Sequence, residues 1–342
     1  MNAPLADLKP LIAAVGSGRS LTAAEADRAF HIIMAGEATA SQTGAFLMAL
    51  AMRGETIEEI AGGARGMRSH MHRLHAPEGA MDIVGTGGDG THTLNVSTAT
   101  ALVVAGCGVT VAKHGNRAAS SKSGAADVLS ALGVNIDADF DLVQRAIDHG
   151  IGFMVAPRYH SAMRHVMPTR VEMGVRTIFN LLGPLSNPAD VKLLFVGVFD
   201  EKWVEPVARV LGELGAERAW VVHSDDGCDE LTLGGANKVA ALADGKVEVF
   251  DVTAADAGLK SAPLDEIRGG TPQENAQAIR DLLDGKPGAY RDTVLLNAAA
   301  ALIVAGKARD LDGGVALAQE SIDSGAARQA LERLVAITNG RN

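Results

Sequence analysis

Gly85, Gly87, Gly88 and Gly90 fall within six residues of one another, in MDIVGTGGDGTHTLNVST (81–98), between an apolar strand-like run and a helix start rich in hydroxyls. Glycine at that density lets backbone amides approach something bulky. Gly85, Gly87 and Gly90 satisfy G-x-G-x-x-G, but a dinucleotide site also wants an acid about twenty residues on. From Thr91 to Ala126 there is no Asp or Glu, and the next strand ends in Lys113-His114. A Walker A loop is excluded as well, because Lys122-Ser123 lacks the glycines that must precede it. What remains is a pair of strand-to-helix turns. GTGGDG leads to Ser97 and Thr98 at one helix start, and KHGNR leads through SSKSG to AADVLSAL. Each turn supplies free amides, hydroxyls and the positive end of a helix dipole, with Lys113, Arg117 and Lys122 adding charge. Together, at the carboxyl edge of a parallel sheet, they suit a multiply phosphorylated ligand.

After AWVVHS comes DDGCDEL, which places Asp225, Asp226, Asp229 and Glu230 within six residues. Carboxylates beside phosphates predict magnesium, a hard cation satisfied by a few carboxylates, waters and substrate oxygens. The EF-hand register is absent. PRYHSAMRHVMPTR carries Arg158, Arg164 and Arg170 with His160 and His165, and one arginine fork of the three is expected to hold a carboxylate. His70, His72 and His75 do not share a helical face and are expected on a solvated helix end. Cys107 and Cys228 stand far apart, in no metal-ligand spacing, and Cys107 reads as a small core residue.

Several elements must position these groups. Thr22 with Glu25, Thr39 with Gln42 and Thr56 with Glu59 each fit a capping box, so helices are expected to start there, with Gly36 and Gly54 as stops. Residues 1–75 read as a helical domain, completed by about 165–190. Residues 76–164 and 191–342 read as an α/β domain. There, DIV, VTVAKHG, IGFMVAP, LLFVGVF, AWVVHS and VEVFDV are expected as strands buried on both faces, alternating with helices around a mainly parallel sheet. One helix starts at Thr271 with Glu274 as its capping box.

The chain has 342 residues, 47% hydrophobic, 21% charged and only 4% aromatic, which predicts an aliphatic core. Its net charge of −10 disfavours nucleic acid and anionic membrane as partners. The first residues lack a signal-peptide profile and no apolar run reaches ~18 residues, so a cytoplasmic location is expected.

Taken together, GTGGD, NVST, KHGNR, SSKSGAADVL, RTIFNLLGPLSNPA and DDGCDEL resemble the anthranilate phosphoribosyltransferase family over nearly the whole chain. The resemblance implies the nucleoside phosphorylase/phosphoribosyltransferase type of fold, a homodimer formed through the helical domain, and Mg2+ as cofactor. It implies transfer of phosphoribose from phosphoribosyl pyrophosphate (PRPP) to the amino group of anthranilate, in tryptophan biosynthesis. By motif position it assigns Gly85, Gly88, Asp89, Thr93, Asn95, Val96, Ser97 and Thr98 to the donor. Lys113, His114, Gly115, Asn116, Arg117, Ala118, Ala119, Ser120, Ser121 and Ala125 join them. Gly85, Asn116 and Arg170 are assigned to anthranilate, and Ser97, Asp229 and Glu230 to the metal. No residue is assigned as acid or base. Ser161 follows His160 where the family usually has proline, and Ala125 stands where serine is frequent. Two rivals are weighed. A pyrimidine nucleoside phosphorylase would carry lysine soon after the glycines, and GTGGDGTHT has none. A nucleic-acid-binding relative would show a basic face.

Overall fold

The computed structural model describes residues 7–117 and 122–341, so the donor assignments at Ala118, Ala119, Ser120 and Ser121 lie outside the described residues. The chain begins with α1 (Lys9–Gly16), α2 (Ala23–Met34), α3 (Ala40–Arg53) and α4 (Ile57–Arg68). The last three start at the expected capping boxes, with both reciprocal bonds formed in each. Gly36 and Gly54 follow α2 and α3 with φ of 77° and 90°, a conformation costly for any other residue. Phe30, Phe46, Leu47, Leu50 and Ile60 fill the space between these helices.

The sheet contains β1 (Met81–Gly85), β2 (Val111–Gly115), β3 (Ile151–Val155), β4 (Leu193–Gly197), β5 (Arg218–Ser224), β6 (Asn237–Ala243) and β7 (Lys246–Val252). Their order is β3-β2-β1-β4-β5-β6-β7. The first five run parallel, and β6 and β7 are antiparallel additions. The α/β architecture with a mainly parallel sheet and a helical domain is as expected, but two details differ. β6 was not anticipated; its signal was the Asp244-Gly245 turn, whose φ values of 51° and 71° are those of a tight hairpin. VEVFDV, expected to be buried on both faces, is β7, the sheet edge, and most of its side chains are exposed or half-buried.

Alternate strand residues feed two cores. Ile83, Val111 and Phe195 face one core, covered by α5 (Val96–Gly106), α6 (Ala125–Ala131), α12 (Pro272–Leu283), α13 (Ala289–Val304), α14 (Leu311–Asp323) and α15 (Ala326–Thr338). Val84, Ala112 and Val196 face the other, shared with α1 to α4, α7 (Phe140–Asp148) and α11 (Val204–Glu213). Short α8 (Ala156–Tyr159), α9 (Met167–Met173) and α10 (Phe179–Leu182) follow β3 and turn back toward the bundle. Phe179 meets Phe30 with ring centroids 5.4 Å apart. A Cβ on Gly44 of α3 would touch Thr169 and Met173 of α9 at 3.5 and 3.9 Å. Arg68 Nε donates to the Leu185 carbonyl at 2.7 Å.

From β1 the chain winds outward through β2 to β3, then returns to β4 on the other side of β1. The carboxyl ends of β1 and β4 therefore flank the crevice where an open parallel sheet takes its ligand.

Candidate active site

Gly85 and Gly197 pair across β1 and β4 at that crevice. The acidic segment after β5 crosses directly above them. A Cβ on Gly197 would overlap the main chain of Asp229, and one on Gly85 would strike its carboxylate. Glycine at 85 thus makes room for an acid of the same chain. Gly87, Gly88 and Gly90 are glycines for a different reason: φ is 64°, 71° and 84°, while nothing lies within 4 Å of a Cβ placed there. The loop is pinned at its base, where Thr86 N donates to Gly197 O at 3.0 Å and Gly87 N to Asp229 Oδ2 at 2.6 Å.

Asp89, Cys228 and Asp229 bring their side-chain ligand atoms within 4.8 Å of one another. Asp89 Oδ2 accepts from Thr91 Oγ1 at 2.7 Å and from Asp229 N at 3.3 Å. Glu230 Oε1 accepts from Ser97 N at 3.1 Å, in the first turn of α5. Burial, reinforced by the Asp89 charge, pushes the Asp229 carboxyl well up. Glu230 moves the same way through burial and Asp229, against the pull of Lys113. Burial would raise Asp89 too, but hydrogen bonds from Thr91 and the Asp229 amide hold it below the usual range. The nearby cation is Lys113, itself buried, whose ammonium donates to Ile83 O. Burial lowers its pKa, and Asp82, Glu230 and Asp229 oppose that. Asp89, Asp229 and Glu230 thus share the Lys113 ammonium, and burial with mutual repulsion opposes full ionisation of Asp229 and Glu230.

The second turn is braced from below. Asp82, fully buried on β1, accepts from His114 N at 3.0 Å and from Asn187 Nδ2 at 2.7 Å. Its pKa is raised to about 6 by burial. Asn95 links the two turns: its Nδ2 donates to Ser123 O at 3.2 Å, its Oδ1 accepts from Asn275 at 2.8 Å, and its carbonyl accepts from Tyr290 at 3.1 Å. GGTPQEN was read as a helix start and as part of the resemblance, with no role given to Asn275, so the part Asn275 plays was missed.

A cavity of about 650 Å³ runs along these groups. Gly85, Gly88, Asp89, Thr93, Asn95, Val96, Ser97, Lys113, His114, Gly115, Asn116, Arg117, Ala125, Arg170, Asp229 and Glu230 all line it. Thr98 does not; it is buried beneath, and its Oγ1 lacks a hydrogen-bond partner. Asp225 and Asp226 stand outside, exposed in the turn, with Asp226 Oδ2 accepting from Thr232 Oγ1 at 2.7 Å. The cavity continues past His160, Met163 and Phe179. His114 and His160 face each other at 5.1 Å, and burial lowers them to about 3 and about 4, so both rings are neutral at pH 7.

The arginines divide. Arg158 is occupied by the carbonyls of Ala138 and Ile136 and by the Phe140 ring. Arg164 and Arg170 line the cavity. Arg170 stacks over Phe179 at 5.4 Å and donates to Asn180 Oδ1 at 3.4 Å. His72 and His75 are exposed just past α4, as expected, while His70 Nε2 lies 2.9 Å from His31 Nδ1 and the His72 ring stacks on Phe140 at 4.0 Å.

Comparison with known proteins gives one consistent result. The helical bundle domain of a glycosyl transferase family matches residues 9–71, and its a/b domain matches 77–328. An anthranilate phosphoribosyltransferase of Rhodospirillum rubrum is 60% identical over 332 residues, covering 97% of this chain and 96% of that protein. The Thermus thermophilus enzyme superposes with a TM-score of 0.91 at 46% identity, covering 96% of this chain and 99% of that one. The Saccharomyces cerevisiae enzyme, solved in complex with PRPP and Mg, gives 0.90 at 27% identity, covering 99% and 100%. The same enzyme was solved with 4-fluoroanthranilate, giving 0.87 at 26% identity with 98% and 99% covered. With both domains matched and identity this high along its length, the chain belongs to the anthranilate phosphoribosyltransferase family.

Proposed function

We propose that this chain transfers phosphoribose from PRPP to the amino group of anthranilate, giving N-(5-phosphoribosyl)anthranilate and pyrophosphate in tryptophan biosynthesis. The observation that carries this reading is that one cavity is lined by two strand-to-helix turns, a buried acidic pair and Arg170 together. The complexes of the Saccharomyces cerevisiae enzyme with PRPP and Mg and with 4-fluoroanthranilate support the same pair of substrates.

The residues fit Mg2+. Asp229 and Glu230 are 8% and 9% exposed, have the Lys113 ammonium as their nearby cation, and offer oxygen ligands that a divalent cation would hold ionised. Burial and the surrounding acids keep the Cys228 thiol protonated, so it does not compete as a ligand. Bound there, Mg2+ would neutralise charge growing on the departing pyrophosphate. The amides of the glycine loop and of the α5 start, with Lys113 and Arg117, serve the donor phosphates. Arg170 pairs with the anthranilate carboxylate, and Asn116 and Gly85 flank the acceptor. An arylamine is unprotonated at neutral pH, so attack needs orientation rather than a strong base, and the bond to pyrophosphate breaks through an oxocarbenium-like centre.

The active molecule is a homodimer joined through the helical domain. Met48 and Met52 of α3 and Val171 of α9 present an apolar face, with Met52 76% and Val171 71% exposed, and these two helices pack together. Sedimentation of Met52→Glu, Val171→Glu should show monomers, and an unchanged dimer refutes this interface.

The deciding experiment follows anthranilate fluorescence after mixing with PRPP and Mg2+, beside Asp229→Asn, Glu230→Gln. Magnesium-dependent loss of fluorescence in the parent alone supports the reading. PRPP binding without loss refutes anthranilate as acceptor.

A further inference from the structure

Arg176 does not line the cavity, yet it reaches both loops that border the crevice. It lies between α9 and α10, in the stretch packed on the helical bundle. Its guanidinium donates to the carbonyl of Gly88, at the tip of the glycine loop, and stacks over the Phe199 ring at 4.5 Å. Phe199 follows β4, and Gly88 follows β1. One side chain from the helical side therefore spans the switch point of the sheet.

The rest of the loop is held from the sheet side, through Thr86 N to Gly197 O and Gly87 N to Asp229 Oδ2. Gly88, at φ 71° with open space around it, has little intrinsic preference for one peptide orientation. A trans peptide points its carbonyl and the following amide in opposite directions. Holding Gly88 O toward Arg176 thus turns the amide of Asp89 away from Arg176, and Gly88 and Asp89 both line the cavity.

The same stretch also holds Arg170. Asn180 Oδ1 accepts from Thr177 N at 3.0 Å and from Arg170 Nη2 at 3.4 Å, one residue beyond Arg176 at the near end of that bond. The segment is thereby tied to the donor loop at Arg176 and to the cavity wall at Arg170.

We propose that Arg176 is a positioning residue that latches the tip of the glycine loop in its donor-binding shape and couples that loop to the segment carrying Arg170. The inference rests on reading the crevice as a PRPP site. Arg176→Ala should raise the calorimetric Kd for PRPP with Mg2+ about tenfold, the loss expected for one hydrogen bond from a charged donor. Amide exchange in residues 86–91 should quicken while the melting temperature stays within about 2 °C. Arg176→Lys keeps the charge but not the planar stack, and should recover part of the affinity. Phe199→Leu should move both readouts in the same direction by less.

Unchanged exchange in 86–91 overturns the latch, whether or not anthranilate is consumed. So does a fall in melting temperature of more than about 5 °C with faster exchange throughout, because Arg176 is then only a structural clasp. Failure of the PRPP reading itself is seen separately, as a wild-type chain that binds no PRPP, with the exchange result still deciding the latch.

Discussion

Buried carboxylates occur in both domains, and they are treated oppositely. Glu59 in the helical bundle is fully buried and answered on every side: Oε1 accepts from Leu21 N at 2.7 Å, and Oε2 from Thr56 N at 3.0 Å and from the Arg53 guanidinium. Asp229 and Glu230 are buried almost as deeply, but each feels the charge of neighbouring acids with one shared ammonium nearby. The first arrangement spends its charge on joining three helices. The second holds acids whose ionisation is opposed by burial and by one another, an arrangement that is useful only if a cation arrives. Burial alone therefore does not distinguish a structural acid from a functional one; the local charge balance does.

The comparison is most severely tested by breaking the satisfied site. Glu59→Ala leaves Arg53 and two amides without their partner and should cost about 3–5 kcal/mol in urea unfolding, with KM for PRPP unchanged. Next, Asp229→Asn, Glu230→Gln should lower kcat/KM at least about a hundredfold, while metal-free thermal stability holds or rises because like charges are removed. A large drop in stability would put these acids in the same class as Glu59. Titrating Mg2+ in scanning calorimetry should then stabilise the parent chain by about 2.7 kcal/mol at a hundredfold excess over Kd, and the double variant not at all.

A smaller effect concerns pH. His114 and His160 have folded-state pKa values below the ordinary 6.5, so the unfolded chain binds protons first as pH falls. Stability is fully present above pH 6.5 and should decline toward pH 4 by up to about 1.4 kcal/mol per pH unit for each ring. His160→Asn should flatten that slope in urea titrations at pH 7, 6 and 5. The smallest effect is expected at the exposed Arg209–Glu205 pair, where Arg209→Ala should change stability by less than about 0.5 kcal/mol.

What the sequence made legible was local. Capping boxes at Thr22, Thr39, Thr56 and Thr271 could be read because each closes within four residues. The two phosphate turns were legible because strand, glycines and helix start are contiguous, and a parallel sheet brings their ends to one edge. Less legible was anything joined across the chain. The Asp89–Asp229 contact spans 140 residues and the Arg176–Gly88 contact spans 88. Neither leaves a spacing to detect. Residue types alone gave the four acids of DDGCDEL equal standing; the resemblance chose Asp229 and Glu230, and the crossing over β1 and β4 gives the physical reason that separates them from the exposed Asp225 and Asp226. Arg158 likewise differed from Arg170 only through the resemblance, and its engagement by the Ala138 carbonyl supplies the physical reason.

The seat made by Gly85 and Gly197 has a consequence for altering this protein. The height of Asp229 above the sheet is set by two hydrogen atoms, one on each of these glycines. Enlarging the residue at 85 to alanine would tilt the carboxylate, and doing so at 197 would lift its backbone, so the same acid can be displaced along two different directions without being replaced. Two strand positions far from the acidic motif in sequence thus act as its shims, and they are the places from which the spacing between the acids and the donor loop can be tuned.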